Sequence, residues 1–302
     1  MTINDRIINQ ILSEFNRSPA RMPQAHFQVV LNTEYTHMEF TGERLVINDQ
    51  VKQHYAKVFH EHVMRYDFAS RFVKDKIILD AACGAGYGVK MFEIAGVRQA
   101  TGIDISAESI RYASSHYQGP NTRFLIADIL SLPFANETFD IVISFETIEH
   151  IPNGADWIRE SARVLKDGGL LIISTPNRVL HSPGIYFGEK PRHTYHLFEY
   201  SLPEFVGELL TEYDIAELYG QTFVHDFEQP AIQPIRESTG LHSDDAPLYL
   251  EFVSELKNLY HLVPLSRIKN AQPTFVIAVC RKNRNKKSTP IFIYLSNGGI
   301  RP

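Results

Sequence analysis

Short apolar segments alternate with segments of helical periodicity through the middle of the chain. Five of the apolar segments are predicted strands: IILDAA (77–82), QATGIDI (99–105), TRFLIAD (122–128), FDIVISFE (139–146) and GLLIISTPN (169–177). Amphipathic segments separate them, and Ser106 is placed to cap the helix after the second strand. Strands that alternate with helices of this length form βαβ units around a parallel sheet covered on both faces. The sequence therefore predicts an α/β fold.

Two later apolar segments complete the predicted sheet. YDIAELYG (213–220) and TFVIAVCRK (274–282) have strand character and follow the fifth strand in the chain. With right-handed crossovers, we expect a Rossmann-like, doubly wound, mostly parallel seven-stranded sheet. The predicted organisation is an N-terminal cap or lid (1–59), a core domain (60–282) with insertions near its active face (181–270), and a basic flexible tail (283–302).

The composition narrows the class of protein. A chain of 302 residues with 44% hydrophobic and 22% charged residues can bury a substantial core. Its formal net charge of -5 argues against a nucleic-acid partner.

Cys83 and Cys280 have no metal-ligand spacing and are expected to be reduced. No segment approaches the about 20 apolar residues of a membrane span, and none has a signal-peptide pattern, so we expect a cytoplasmic protein.

A glycine-rich turn, DAACGAGYG at 80–88, joins the first strand to the next helix. Glycine allows positive φ and a close approach of the backbone to a ligand, and the helix N-terminus offers N–H donors. Asp104 and Asp128 end the next two strands, where open α/β sheets bind ligands, and Asp104 is placed to bind a ribose. The pattern predicts a nucleotide-type cofactor. A dehydrogenase is a competing interpretation, and each aspartate could instead cap a turn.

Five motifs occur in order along the chain: LDAACGAG, GIDIS, the Ala-Asp pair at 127–128, FDIVISFETIEHI and RVLKDGGLLIISTPN. This order is typical of class I S-adenosylmethionine-dependent methyltransferases, and residues 60–180 resemble that family. The resemblance implies S-adenosyl-L-methionine as the cofactor. It implies these binding residues: Ala82, Gly84 and Gly86 for the methionine, Asp104 for the ribose, Asp128 and Ile129 for the adenine, and Tyr66, Ile105 and Phe145 as further contacts. The family often has glycine at the position of Ala82.

Two further motifs concern the acceptor of the methyl group. FETIEH (145–150) follows the fourth strand, and RHTYHLFEYSLPEF (192–205) follows the fifth. Together they resemble the metal-binding pattern of small-RNA 3′-terminal 2′-O-methyltransferases, which implies a divalent ion, Mg²⁺ or Mn²⁺, and the ligands Glu146, Glu149, His150 and His196. Such an ion lowers the pKa of a hydroxyl and orients a diol. Without a metal, His150 is the candidate general base and Glu146 the second candidate catalytic residue. Alternatively, Glu149-His150 is only the start of a helix.

The N-terminal region carries a second resemblance. FTGERL (40–45) with HVMRYDFA (62–69) is similar to bacterial methyltransferases of saccharide and polysaccharide biosynthesis. Glu43 and Arg44 could instead form a surface ion pair. His193 and Tyr195 are expected either to line an acceptor pocket or to belong to a hydrophobic cluster over the sheet.

Three functions remain open at this point. The main hypothesis is an O-methyltransferase that acts by in-line transfer on a sugar-containing or other small polar acceptor. An RNA 3′-terminal 2′-O-methyltransferase is an alternative, although the acidic balance argues against it. A non-catalytic S-adenosylmethionine-binding partner subunit is another. The sequence does not select the acceptor, the methylated atom or the oligomeric state, because fold analogy does not specify them.

Overall fold

The computed structural model of the chain describes residues 45–46, 54–225, 260–268 and 271–283. Most of the predicted cap, with Glu43 and Arg44, lies outside the described residues, as do residues 226–259 of the predicted insertions and 284–302 of the predicted tail. The chain divides into two compact units, Met1–Asp128 and Ile129–Pro302.

Parallel strands and helices alternate in the first unit, as the sequence predicts. In its described residues the strands are β1 (Ile77–Ala81), β2 (Gln99–Asp104) and β3 (Thr122–Ile126), and the helices are α1 (Ala56–Ser70), α2 (Tyr87–Ile94) and α3 (Ala107–Tyr117). The strand β2 pairs in parallel with both β1 and β3. Ile78, Leu79 and Ile103 are fully buried, so the apolar segments read from the sequence fill the core of this unit.

Two helices of the first unit begin directly after a strand. The Ser106 hydroxyl accepts a hydrogen bond from the Ser109 N–H at 3.2 Å and caps α3, which confirms the predicted N-cap. Gly86 precedes α2 and has a left-handed φ of 87°. Both turns therefore lie at the carboxyl ends of strands, where α/β folds place their ligands.

The second unit combines parallel and antiparallel strands. In its described residues the strands are β4 (Phe139–Phe145), β5 (Leu165–Pro176), β6 (Tyr213–His225), β7 (Val263–Pro264) and β8 (Ala271–Lys282). The helices are α4 (Gly154–Val164), α5 (Arg178–His181) and α6 (Leu202–Leu209), with 3₁₀ helices at Ile148–His150 and Leu265–Arg267. The pair β4 and β5 is parallel, whereas β8 lies antiparallel between β5 and β6, and β7 pairs with β6.

All of the predicted strands are present, but the predicted count of seven is wrong. An eighth strand, β7, pairs with Tyr219 and Gly220 of β6. It has only two residues, Val263 and Pro264, and this is too short for any periodic pattern to indicate it. The mostly parallel arrangement is confirmed for β1 to β5, and the late strands are antiparallel.

The predicted insertion after β5 contains the helix α6, which the periodicity did not indicate. Ser201 and Glu204 form a capping box at its start, and the Ser201 N–H donates to Glu204 Oε2 at 2.7 Å. No helix in the described parts of the chain is long and apolar enough to span a membrane.

Candidate functional site

The glycine turn after β1 holds three alternate positions in the left-handed conformation. Ala82, Gly84 and Gly86 have φ values of 62°, 55° and 87°. A Cβ on Gly84 would meet no atom within 4 Å, so the backbone there borders open space. A Cβ on Gly86 would lie 2.5 Å from Ala113 Cβ and 2.9 Å from Phe124 Cε1. Gly84 therefore leaves room for a ligand, while Gly86 is required for packing.

Asp104 links this turn to the end of β2. Its Oδ2 accepts a hydrogen bond from the Gly84 N–H at 3.0 Å, and its Oδ1 accepts one from the Ser106 N–H at 2.8 Å. Each carboxylate oxygen has a further lone pair, so ribose hydroxyls can still donate to it. The next side chain, Ile105, is 69% exposed and offers an apolar surface at the same strand end.

The remaining predicted cofactor residues occupy varied environments. Asp128 is exposed after the end of β3. Ile129 begins the second unit and Phe145 ends β4, and both are buried.

Tyr66 is buried in α1, and its hydroxyl donates to Asp80 Oδ1 at 3.3 Å. Its ring lies against Gly88, where a Cβ would come within 2.0 Å of Tyr66 Cε1. The Tyr66 side chain thus contacts Asp80, a residue that the resemblance did not include among the cofactor contacts.

Asp80 is a fully buried carboxyl group in β1. Within the described residues its Oδ2 has no hydrogen-bond partner. Burial raises the pKa of Asp80 to about 8, the hydrogen bond from Tyr66 opposes this rise, and the charge of Asp104 adds to it. A cationic ligand beside Asp80 would favour its ionised form.

S-adenosylmethionine carries a cationic methionine, a ribose and an adenine, and the described residues of the first unit suit these groups. Asp80 offers a buried carboxyl oxygen to a cation, and Asp104 offers acceptors to a ribose diol. The open space at Gly84 admits a ligand, and Ile105 offers an exposed apolar side chain to a flat base. The residues present therefore fit this cofactor.

Glu146 lies just after β4 with a positive φ of 50°, which is unusual for a residue with a side chain. Its Oε1 accepts a hydrogen bond from the Ser174 hydroxyl at 2.5 Å, and its N–H donates to Ser174 Oγ at 3.1 Å. The Glu146 carboxylate is therefore held by β5. Backbone strain of this kind concentrates at functional sites.

Three side chains of the second unit, which we term the acceptor-side cluster, come together as possible metal ligands: Glu149, His150 and His196. One ligand atom from each lies within 4.8 Å of the others, and the rings of His150 and His196 have centroids 4.9 Å apart. Glu149 Oε2 accepts a hydrogen bond from the Thr175 hydroxyl at 3.1 Å. The structure thus brings together three of the four predicted ligands, and Glu146 is outside this group.

The loop that supplies His196 is joined to the 3₁₀ helix by backbone hydrogen bonds. The N–H groups of Leu197 and Phe198 donate to the Glu149 carbonyl at 2.9 and 3.1 Å. The His150 ring bonds the Tyr195 carbonyl through Nδ1 at 3.1 Å. These bonds connect residues that are more than forty positions apart in sequence and hold the acceptor-side cluster in place.

His193 and Tyr195, the predicted pocket residues, lie beside the acceptor-side cluster. The His193 ring centroid is 4.0 Å from that of His196 and 5.9 Å from that of Tyr195. The Tyr195 side chain is 47% exposed. The two rings therefore border the cluster and face solvent.

Sequence reasoning missed three residues around the cluster: Thr175, His181 and Glu199. Glu199 is buried, but the hydrogen bonds from His196 and Ser182 outweigh the effect of burial and hold its pKa below the usual range. Burial lowers the pKa of His181, against the charges of Glu146 and Glu199. Glu199 lies within RHTYHLFEYSLPEF (192–205), which was a visible signal for it, whereas nothing local in the sequence indicated Thr175.

Comparisons with known proteins bear on the domain and the fold. Residues 79–173 match a family model described as a methyltransferase domain. A Mycobacterium tuberculosis protein named “Probable S-adenosylmethionine-dependent methyltransferase” is 32% identical over 157 residues, which cover 52% of this chain and 55% of that protein. A “Ubiquinone biosynthesis O-methyltransferase” of Serratia proteamaculans is 35% identical over 107 residues, 34% of this chain and 44% of that protein. The chain thus spans about half the length of these curated relatives.

The fold also matches solved structures. A methyltransferase from Thermotoga maritima, described as S-adenosylmethionine-dependent, aligns with a TM-score of 0.51 at 15% identity, over 77% of this chain and 96% of that one. At this identity the likeness shows the Rossmann-like α/β fold alone. Residues 79–173 therefore match a methyltransferase domain, and the described residues have the Rossmann-like α/β fold of such domains.

Proposed function

We propose that the protein is an S-adenosylmethionine-dependent O-methyltransferase that acts on a sugar-containing or other small polar acceptor. The observation that carries the proposal is the acceptor-side cluster, in which a carboxylate and two imidazoles converge. This set of groups suits the deprotonation of a hydroxyl. The name of the Serratia relative, an O-methyltransferase, supports oxygen as the methylated atom.

The first unit would hold the cofactor. When bound, S-adenosylmethionine supplies an electrophilic methyl group on a sulfonium. Asp104 would accept hydrogen bonds from the ribose hydroxyls, Asp80 would offset the positive charge of the methionine, and Ile105 would pack against the base. The open backbone at Gly84 gives the ligand a close approach to the turn.

The second unit would activate the acceptor. Because the Tyr195 carbonyl can only accept, His150 Nδ1 donates to it, and Nε2 is then the basic nitrogen of that ring. In this role His150 takes the proton of the acceptor hydroxyl. Positioning of a general base typically contributes about 10²–10⁴-fold to a rate.

In a second version of the proposal, the acceptor-side cluster binds a divalent ion. Glu149, His150 and His196 would be its ligands, and it would lower the pKa of a bound hydroxyl. Two imidazoles among the ligands favour Mn²⁺ over Mg²⁺, which prefers oxygen. Glu146, held by Ser174, would then orient the acceptor through its other oxygen.

The proposal is tested with the purified full chain in two steps. Calorimetry with S-adenosylmethionine and with its demethylated product should show binding of both, and absence of binding would reject the cofactor assignment. Methyl incorporation is then measured by mass spectrometry on a panel of glycosides with vicinal hydroxyls, a catechol and a short RNA. Each reaction is run with Mn²⁺ and with a chelator. Methylation of a glycoside oxygen is the expected result. Methylation of only the RNA or only the catechol would reject a sugar-containing acceptor and identify that other class of acceptor instead.

A further inference from the structure

His196 lies against a buried glutamate to which the sequence motifs assigned no role. Its Nδ1 is 2.6 Å from Glu199 Oε1, and the Glu199 side chain is fully excluded from solvent. His196 itself is 8% exposed. A contact this short between two buried side chains fixes the orientation of the ring.

We propose that Glu199 is a positioning residue: it fixes the tautomer of His196 so that Nε2 of this ring faces the acceptor-side cluster. A carboxylate oxygen at 2.6 Å is an acceptor, so the neutral His196 ring donates its Nδ1–H to Glu199 and keeps the lone pair on Nε2. A carboxylate that accepts from the far nitrogen of a histidine also raises the basicity of the near nitrogen. This inference deepens the proposed function, since it rests on a role for His196 at the acceptor.

Glu199 is well placed to be rigid, because backbone hydrogen bonds anchor the chain on both sides of it. On one side, the Leu197 and Phe198 N–H groups donate to the Glu149 carbonyl. On the other, the Arg178 N–H donates to the Tyr200 carbonyl at 2.8 Å. A support that is itself held by packing and hydrogen bonds keeps a site geometry within the narrow limits that function requires.

The two histidines of the acceptor-side cluster are oriented in the same way by different acceptors. His150 bonds a backbone carbonyl through Nδ1, and His196 bonds a side-chain carboxylate through Nδ1. Both rings therefore present Nε2 as the basic nitrogen. Two imidazoles bind the same proton or the same ion through unprotonated nitrogens. Matching tautomers place an unprotonated Nε2 on each ring and so meet this requirement.

The tautomer can be measured directly in the metal-free, cofactor-free full chain. Long-range ¹⁵N–¹H NMR on histidine-labelled protein, with His196 assigned from H196Q, should show Nδ1–H and an unprotonated Nε2. In Glu199→Gln the carbonyl oxygen is a weaker acceptor than a carboxylate and the NH₂ group can donate to Nδ1, so the Nδ1–H population should fall and the Nε2–H form should rise. The matched control Glu189→Gln replaces an exposed glutamate of the same segment that also accepts a hydrogen bond, from the Tyr186 N–H. It should leave His196 unchanged.

Either of two results overturns the inference: an Nε2–H tautomer in the unmodified protein, or the same His196 spectrum in Glu199→Gln. If Glu199→Gln does not fold, the tautomer of the unmodified protein decides alone. Calorimetric titration with Mn²⁺ alone gives a second readout, because loss of such an orienting group weakens metal binding about 10–100-fold. Equal Mn²⁺ affinity in Glu199→Gln and the unmodified protein would count against the inference. Absence of methyl transfer would reject the proposed function and leave the tautomer result standing.

Discussion

The two units of the protein build their candidate sites in different ways. In the first unit, backbone conformation dominates: the left-handed turn at Gly84 and Gly86 and the strand end at Asp104 lie within one short stretch of chain. In the second unit, side chains from separate segments converge, with Glu149 and His196 as examples. The first arrangement depends on local conformation, and the second depends on the loop that carries His196 being held in place.

A pair of buried carboxyl groups shows the same contrast. Asp80 in the first unit and Glu199 in the second are both excluded from solvent. The pKa of Asp80 rises because burial outweighs the hydrogen bond from Tyr66. The pKa of Glu199 falls because His196 and Ser182 outweigh burial. Burial alone therefore does not determine the charge of a carboxyl group, and its hydrogen-bond partners decide it.

The largest expected effect is a loss of methyl-transfer rate without a loss of cofactor affinity. Replacing His150 or His196 with alanine should lower the methyl-transfer rate by about 10²–10⁴-fold, since the base or metal ligand is lost. Affinity for S-adenosylmethionine should be unchanged, because neither histidine is among the predicted cofactor contacts. Single-turnover kinetics and calorimetry measure the two quantities, with His116→Ala in the first unit as the control. Equal losses of rate and of cofactor affinity would remove the distinction between the two units.

The next largest effect is a loss of stability when a glycine with a left-handed backbone is replaced. Gly86→Ala should destabilise the protein by about 2–5 kcal/mol, because it adds left-handed strain to overlap with Ala113 and Phe124. Gly168→Ala in the second unit also has positive φ but open space around it, so its cost should be only about 1–2 kcal/mol. Urea unfolding of both variants gives the comparison. Similar losses would show that packing at Gly86 is unimportant.

The raised pKa of Asp80 predicts a pH dependence of stability. The folded protein binds more protons than the unfolded chain between pH 3.8 and about 8, so the free energy of unfolding falls as pH rises through this range. Asp80→Asn should remove this contribution and stabilise the cofactor-free protein by about 1–3 kcal/mol near pH 7.5. It should also weaken cofactor binding.

Thermal unfolding from pH 5 to 8 measures the effect of Asp80→Asn, with the exposed Asp167→Asn as the control. An unchanged pH slope would show that Asp80 is ionised in the folded state. Asp80 would then have the same charge state as Glu199, and the contrast between the two carboxyl groups would disappear.

The smallest expected effect is the same in both units. Ser106 caps α3 in the first unit and Asn153 caps α4 in the second, each through a side-chain oxygen that accepts a backbone N–H. Alanine at either position should cost about 1 kcal/mol. Chemical denaturation of both variants tests this, and a much larger loss at one of them would show that its helix start has a further role.

Much of the first unit could be predicted because its signals are local. The strand periods, the Ser106 cap and the glycine turn all occupy short stretches of sequence, and each is found at the predicted place. Tyr66 is the exception. Its burial against Asp80 and Gly88 depends on how α1 packs, which no local pattern specifies.

The second unit was harder to predict because its contacts are distant in sequence. The motifs indicated Glu149, His150 and His196, but the support from Thr175 and Glu199 appears only when β5 and the following loop are in place. The strand β7 was missed for the same reason, since its pairing with Tyr219 and Gly220 is a tertiary contact.

By itself, the sequence determined the alternating strands and helices, the glycine turn and the set of groups available for chemistry, because periodicity and backbone freedom act over a few residues. Only the tertiary structure decided which of those groups meet and which are charged. Convergence of Glu149 with His196 requires the fold to bring separate segments together, and the opposite pKa shifts of Asp80 and Glu199 follow from burial and partners that exist only in the folded chain.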